Sequence, residues 1–387
     1  MSLRHLTAGE SHGAALIGII EGIPSGLPLD AATLHAQARR RKLGFGRGNR
    51  QTIETDEVRI VAGVRRGVTI GSPIAFIIEN RDHARWAEIM RVDAPPDGAP
   101  AAREVHVPRP GHADRVGGIK YARDDLRDVL ERASARETAM RVALGTVART
   151  LLDQLGVSLT SRVVRIGSAV DTSPWRDVPV EMIDASPVRA LDRDAAAAMV
   201  REIEAARDAG DALGGVFEVL AFNVPVGLGS YAQWDRRLEA EVGRAFLSLN
   251  AIKGVELGLG FGAAARLGSQ AHDPYEPGEG TRTRYRSNNA GGIEGGMTTG
   301  QPIVVRVGMK PIATLMKPLD SVDLRTGEAV KAHIERADTC AVPAAAVIGE
   351  SLLALVLADA VLEKFGGDSL DEVLERVRAW NVTVRDR

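Results

Sequence analysis

The sequence predicts a mixed α/β fold of the α+β type, one large domain over residues 1–387. Three observations carry that reading. The apolar fraction is 44% of 387 residues, enough for a full core. Strand-like and helix-like segments follow one another without strict alternation, which argues against a doubly wound parallel sheet. No linker divides the chain, and no internal repeat recurs at a fixed period.

The elements follow in order. AALIGIIE (14–21) is short, apolar and bounded by Gly13 and Gly22, the pattern of a buried strand. LDAATLHAQARRRKLG opens on Asp30, a capping residue, and closes at Gly44, so a helix with a basic last turn is expected. EVRIVAGV (57–64) and SPIAFIIEN (72–80) read as two more strands. DAPPDGAPAARE (93–104) reads as an exposed loop. From 125 to 153 the pattern turns helical, with Val129, Ala133, Met140, Leu144, Val147, Ala148 and Leu151 mostly at three- and four-residue spacings. A strand near 157–169, a helix near 192–208, a strand in 214–225, a helix near 235–249 and a strand in 300–311 follow. Residues 342–367 are apolar nearly all round, start near Pro343 and end at Gly366-Gly367, the marks of a buried helix. A short amphipathic helix is expected near 369–380.

Composition narrows the function. The net charge is −2, from 49 basic and 51 acidic side chains, so nothing global asks for nucleic acid or an acidic membrane. The single cysteine, Cys340, excludes an internal disulfide framework and multi-cysteine metal sites, so no metal is expected and a reducing, cytoplasmic setting fits. The first residues, MSLRHLTAGESHG, lack the apolar core of a secretory signal, and no run approaches ~18 consecutive apolar residues, so no membrane span is expected.

Chemistry-bearing residues gather in the loops. TAGESHG (7–13) places His12 just before a strand, where an imidazole can serve as an acid near neutral pH; a turn-capping histidine is the plain alternative. RRRKLGFGRGNR (39–50) holds Arg39, Arg40, Arg41, Lys42, Arg47 and Arg50 with Gly between them. Guanidinium forks bind phosphate and carboxylate. A solvated helix end accounts for the triple arginine equally well, but not for Arg47 and Arg50 beyond the helix. A nucleic-acid patch is a further alternative, with Phe45 its one interleaved aromatic.

RPGHAD (109–114) fixes a turn that aims Arg109 and His112 the same way, unless the histidine merely stabilises the turn. ERASARETAMR (131–141) offers Arg132, Ser134 and Arg136, with backbone donors at Ala133 and Ser134 if a helix starts there; an exposed ladder of ion pairs is the rival reading. The Gly-rich stretch 287–302 suits close approach to a flat or phosphorylated ligand, or is a long mobile loop. GLGFGAA (258–264) spells an accidental dinucleotide fingerprint. Lys310 and Thr314 in MKPIATL suit a phosphate, and Arg336 and Asp338 sit just ahead of the buried helix, where they also suit a loop ion pair. The sum points to a site for a polyanionic small molecule and, beside it, a second phosphorylated ligand.

In order, TAGESHG, RRRKLGFGRG, RPGHAD, ERASARETA, NAIKGVE, GGIEGGMTTGQP, MKPIATL and RADTCAVPAA resemble the motifs of the chorismate synthase family, from residue 7 to about 345. The resemblance implies antiparallel sheets sandwiched by helices, a homotetramer and a lyase. That lyase would eliminate phosphate from 5-enolpyruvylshikimate 3-phosphate to give chorismate, with reduced FMN, at the last step of the shikimate pathway of aromatic amino-acid biosynthesis. It implies that Arg41, Arg47, Arg50, Arg109, Arg136 and Arg336 surround the substrate, with Arg41 and Arg47 also meeting NADP. It implies FMN contacts from Arg132, Ala133, Ser134, Asn250, Ala251, Gly295, Lys310, Pro311, Ile312, Ala313, Thr314 and Arg336. His12 would protonate the departing phosphate, His112 would answer the flavin's charge, and Asp338 would assist removal of the C6 hydrogen. Where many members have Pro-Gly after the triple arginine, this chain has Lys42-Leu43-Gly44. Two other classes stay open: a flavin enzyme with net electron transfer, and a nucleic-acid module built on 39–50.

Overall fold

The computed structural model describes residues 3–48, 53–94, 103–175, 178–278, 283–335 and 337–385. The strands of one sheet are β1 (Arg4–Ala8), β2 (Ala15–Glu21), β3 (Val58–Ala62) and β4 (Ile74–Glu79), in the order β1-β2-β4-β3. Every pairing is antiparallel. Alternation along β2 buries Leu16, Gly18 and Ile20 and turns Ile17 and Ile19 outward. The second sheet comprises β5 (Ser158–Ile166), β6 (Ala169–Val170), β7 (Gly215–Phe222), β8 (Ile252–Leu257) and β9 (Ile303–Met309), in the order β8-β9-β7-β5-β6, again all antiparallel.

Eight helices matter for the site: α1 (Ala31–Lys42), α2 (Asp114–Tyr121), α3 (Arg127–Ala133), α4 (Thr138–Gln154), α5 (Arg193–Asp208), α6 (Leu238–Leu247), α7 (Val342–Phe365) and α8 (Leu370–Arg385). The caps form as expected: Asp30 accepts from the Thr33 N–H and Asp192 from the Ala195 N–H. α4 lies on β2 and α7 on β5 and β7, and the two helices pack on each other. At their contact Gly145 leaves no room for a Cβ beside Ser351. The layers therefore run sheet, helix, helix, sheet, joined by one continuous hydrophobic core. α7 is long and apolar enough to cross a membrane by composition alone, yet 94% of that span is buried inside the fold, which makes it a core helix.

Two departures from the sequence reading have physical causes. The helical pattern of 125–153 is interrupted. Ser134 is extended (φ −64°, ψ 141°), and its hydroxyl accepts from the Arg136 N–H, so α3 ends and α4 starts afresh at Thr138. β1 is not anticipated, because RHLTA has no clear period; pairing with β2 makes it a strand.

Candidate active site

The turn after β1, the chain beyond α1, the RPGHAD turn, the break between α3 and α4, the turn after α6, the end of β9 and the segment before α7 surround one cavity of about 470 Å³. That volume lies in the usual range for a small-molecule site.

His12 is held on all sides but one. Its backbone N–H donates to Glu131 Oε2 at 2.8 Å, and its Nδ1 lies 2.8 Å from Glu131 Oε1. Trp86 stacks on the ring with centroids 4.0 Å apart. The His12 carbonyl accepts from His83 Nδ1 at 2.9 Å.

The RPGHAD turn is organised by Asp114, which is fully buried. Its carboxylate accepts from Arg109 Nε at 2.8 Å and Nη2 at 3.0 Å, and lies 2.5 Å from His112 Nδ1. Burial opposes its ionisation, but those hydrogen bonds overcome it and hold the carboxyl far below the usual carboxylate range. Gly111 takes φ 80°, which lets the chain turn back so that its carbonyl receives Lys310 Nζ at 2.7 Å. Arg109 Nη1 donates to Thr314 Oγ1 at 2.9 Å. The turn is thus tied to the chain after β9.

Arg41 and Arg136 share Asp56. Arg41 Nη1 donates to Asp56 Oδ2 at 3.2 Å and Nη2 to Thr138 Oγ1 at 2.9 Å, while Arg136 donates to Asp56 Oδ1. Burial pushes the Arg41 guanidinium down to about 10; Asp56 offsets part of the fall and the neighbouring Arg47 and Arg136 add to it. Arg47 pairs with Asp338 at 2.7 Å, and Asp338 also accepts the Gly48 N–H at 2.7 Å. Gly46 makes that approach possible: at φ +87°, a Cβ would stand 2.9 Å from Ile203. Arg47 Nε is buried without a hydrogen-bond partner among the described residues.

The remaining wall suits a flat ring. Leu130, Leu249, Met309, Ile312, Ala344 and Ile348 supply apolar surface. Ala133 and Ser134 line the cavity because α3 stops there. Asn250 donates to the Ala133 carbonyl at 2.9 Å, while its Oδ1 is buried with no partner among the described residues. An orphan amide oxygen in an apolar wall implies a ligand N–H or water as its partner. Ala251 is left-handed (φ 65°) and its carbonyl accepts the Lys310 N–H at 2.9 Å. Hence the residues present fit a flavin-like group.

Of the expected site residues, His12, His112, Asp338, Arg41, Arg47, Arg109, Arg136, Ala133, Ser134, Asn250, Ala251, Lys310, Ile312, Ala313 and Thr314 line the cavity. Three stand outside the lining. Arg132 donates to the carbonyls of Gly9 and Thr7 at 2.8 and 2.9 Å. Gly295 lies in the turn between Ile293–Glu294 and Met297–Thr298. Pro311 belongs to the loop but not to the wall. Arg50 and Arg336 lie outside the described residues, as does most of the 93–104 loop. The basic run 39–50 is no surface stripe, since Arg41 is buried and Arg40 is paired inward with Glu350 and Asp184. The nucleic-acid alternative loses its physical basis there.

Sequence reasoning misses Trp86, Glu54, Asp56 and the inward role of Glu131. Glu131 stands in a quoted motif but reads there as one charge of an exposed ladder. Asp56 and Trp86 carry no motif signal.

The comparisons agree along the whole chain. The family model for chorismate synthase matches residues 3–362. Chorismate synthase of Desulforudis audaxviator is 54% identical, covering 99% of this chain and 98% of its own. That of Moorella thermoacetica is 53% identical, covering 98% of each. A solved structure titled "Crystal Structure of Chorismate Synthase" superposes with a TM-score of 0.80 at 42% identity, over 100% of this chain and 99% of the other. The chain belongs to the chorismate synthase family.

Proposed function

We propose that the chain converts 5-enolpyruvylshikimate 3-phosphate to chorismate and phosphate by anti-1,4-elimination, with reduced FMN as cofactor. The observation that carries this reading is the convergence of His12, His112, Asp338 and four arginines, from loops far apart in sequence, on one cavity with a partly apolar wall. In the reaction the bond to the phosphate oxygen and the C6–H bond both break, a new double bond forms, and no net oxidation occurs. Negative charge grows on the leaving phosphate, so fixed guanidinium groups favour the transition state over the ground state.

Arg41, Arg47, Arg109 and Arg136, with Arg50 and Arg336, would hold the phosphate and the two carboxylates of the substrate. His12 would give its proton to the departing phosphate. Asp338, held by Arg47 and the Gly48 N–H, would assist removal of the C6 hydrogen. Ala133, Ser134, Asn250, Ala251 and the 310–314 loop would hold the cofactor, with Arg132 bracing the end of α3 and Gly295 and Arg336 completing the assigned set. His112 would answer the cofactor's charge. When bound, reduced FMN supplies the electron density that makes departure of an unactivated C6 hydrogen feasible.

NADPH is the proposed reductant. Arg41 is already committed to Thr138 and Asp56, so Arg47 would make most of that contact. We also read the enzyme as a cytoplasmic homotetramer. The outer face of the first sheet supports self-association, with Leu6 at 69% and Ile17 at 43% exposure.

The test is an anaerobic assay with dithionite-reduced FMN and the phosphorylated substrate, reading phosphate release and chorismate absorbance together. His12→Ala and His112→Ala should each slow turnover by roughly 10²-fold or more. Wild-type rates for both would remove histidine from the mechanism. Consumption of one NADPH per product would favour a net redox enzyme instead.

A further inference from the structure

We propose that Glu131 is the positioning residue of His12, fixing which ring nitrogen faces the reacting phosphate. The inference rests on the reading of His12 as the proton donor. Glu131 is 1% exposed and sits in α3, outside every role assigned so far. It grips the Ser11–His12 segment three times. Its carbonyl accepts the Ser11 N–H at 3.0 Å, its Oε2 accepts the His12 N–H at 2.8 Å, and its two carboxylate oxygens stand 2.8 and 3.0 Å from His12 Nδ1.

A carboxylate can only accept, so Nδ1 must carry a hydrogen. That leaves Nε2, which has no hydrogen-bond partner among the described residues, as the atom that gains and loses the catalytic proton. The second fix is steric. Trp86 lies nearly parallel to the imidazole, at 18°, and its stacking on that face opposes rotation of the ring. Arg127 braces both partners: its Nη1 is 3.2 Å from Glu131 Oε1, and its guanidinium carbon is 5.1 Å from the Trp86 centroid. Arg127 also reaches Glu335 at 3.4 Å, and Glu335 is 2.9 Å from His333 Nε2, so the charge of the pair continues outward along a chain of side chains.

The proton balance is closed. His12 Nε2–H passes its proton to a phosphate oxygen as the C–O bond breaks, leaving a neutral ring protonated at Nδ1. Solvent then returns a proton to Nε2. Neither step moves the Nδ1 hydrogen, so the ring never has to flip. Without that acceptor the neutral ring left after the transfer could carry its hydrogen on either nitrogen, and the nitrogen to be reprotonated would no longer be fixed.

The experiment combines a double-mutant cycle with a spectroscopic reading on the full chain. Glu131→Gln keeps the shape and removes the obligatory acceptor. In the anaerobic assay it should lower kcat by roughly 10- to 100-fold, the scale of an orienting partner, with KM little changed. In a His12→Ala background the same change should cost no further activity, because a group that acts only through His12 has nothing left to orient. Independently of substrate and cofactor, ¹⁵N NMR at a pH where the imidazole is neutral should show His12 protonated at Nδ1 in the wild type and mixed between tautomers in Glu131→Gln. The proposal is overturned if a folded Glu131→Gln enzyme keeps its kcat, if its loss adds in full to that of His12→Ala, or if the tautomer is unchanged. Full activity of His12→Ala alone would instead bring down the proton-donor reading, and the NMR arm would still judge the contact.

Discussion

Arg40 and Arg41 are neighbours in α1, yet they end in two different kinds of buried charge. Successive helix residues point about 100° apart. Arg40 enters a knot in which Glu350 of α7 accepts from Arg40 at 2.6 Å, Arg149 at 2.7 Å and Arg189 at 3.3 Å. Asp184 accepts from both Arg40 and Arg189, and Arg189 Nη2 also donates to Ser161. Burial would lower Arg40, but Glu350 and Asp184 hold it above its ordinary value. Only Arg189, the deepest, is lowered by burial there. Arg41 enters the cavity wall, where burial and two further arginines pull it down. Each guanidinium of the knot has a carboxylate partner within the chain, although Arg189 Nε is buried without a hydrogen-bond partner among the described residues. The cavity wall instead sets Arg47 and Arg136 near enough to Arg41 to lower it, an arrangement that an incoming anion would relieve.

That contrast is open to direct attack. The largest stability effect should come from Glu350→Gln, which leaves Arg149 without a carboxylate and removes one of the two that serve Arg40 and Arg189. Chemical denaturation should show a loss of about 3–5 kcal/mol. Arg47→Ala should do the reverse: kcat/KM falls by roughly 10²-fold, with a smaller loss of stability than Glu350→Gln. Equal stability losses would erase the distinction between the two regions.

A pH titration sharpens it further. Burial would raise Glu350, but Arg40, Arg149 and Arg189 hold it down to about 2, against an ordinary 4.5. Its stabilisation is therefore complete above about pH 4.5 and is lost as the pH falls toward 2. In the wild type the denaturation midpoint should drop across that window, and in Glu350→Gln the drop should be shallower. The smallest effect belongs to the exposed pair of Arg236 and Glu363. Arg236→Ala should change stability by no more than about 1 kcal/mol, which makes it the control for both regions.

Much of this was legible beforehand. Strand and helix periods marked β2, β4, α1, α5 and α7, and ordered short motifs marked the loops that form the wall. RPGHAD was visible as a turn with a purpose, although Asp114 rather than Pro110-Gly111 turns out to hold its side chains together. Local composition misread two segments. The 125–153 pattern concealed the Ser134 break, because the apolar spacing runs straight through it. ERASARETA looked like an exposed ladder, because a carboxylate four residues from an arginine reads the same whether its neighbour is water or His12.

By itself the sequence determined the elements and the inventory of charged and small residues in each loop. These follow from side-chain period, capping and turn chemistry, which act over a few residues. Only the tertiary structure decided which arginines lock the core and which line the cavity, and that His12 meets Glu131 across 119 positions of chain. The reason is physical: a charge takes its meaning from the dielectric and the partners around it, and packing brings those partners from distant parts of the chain.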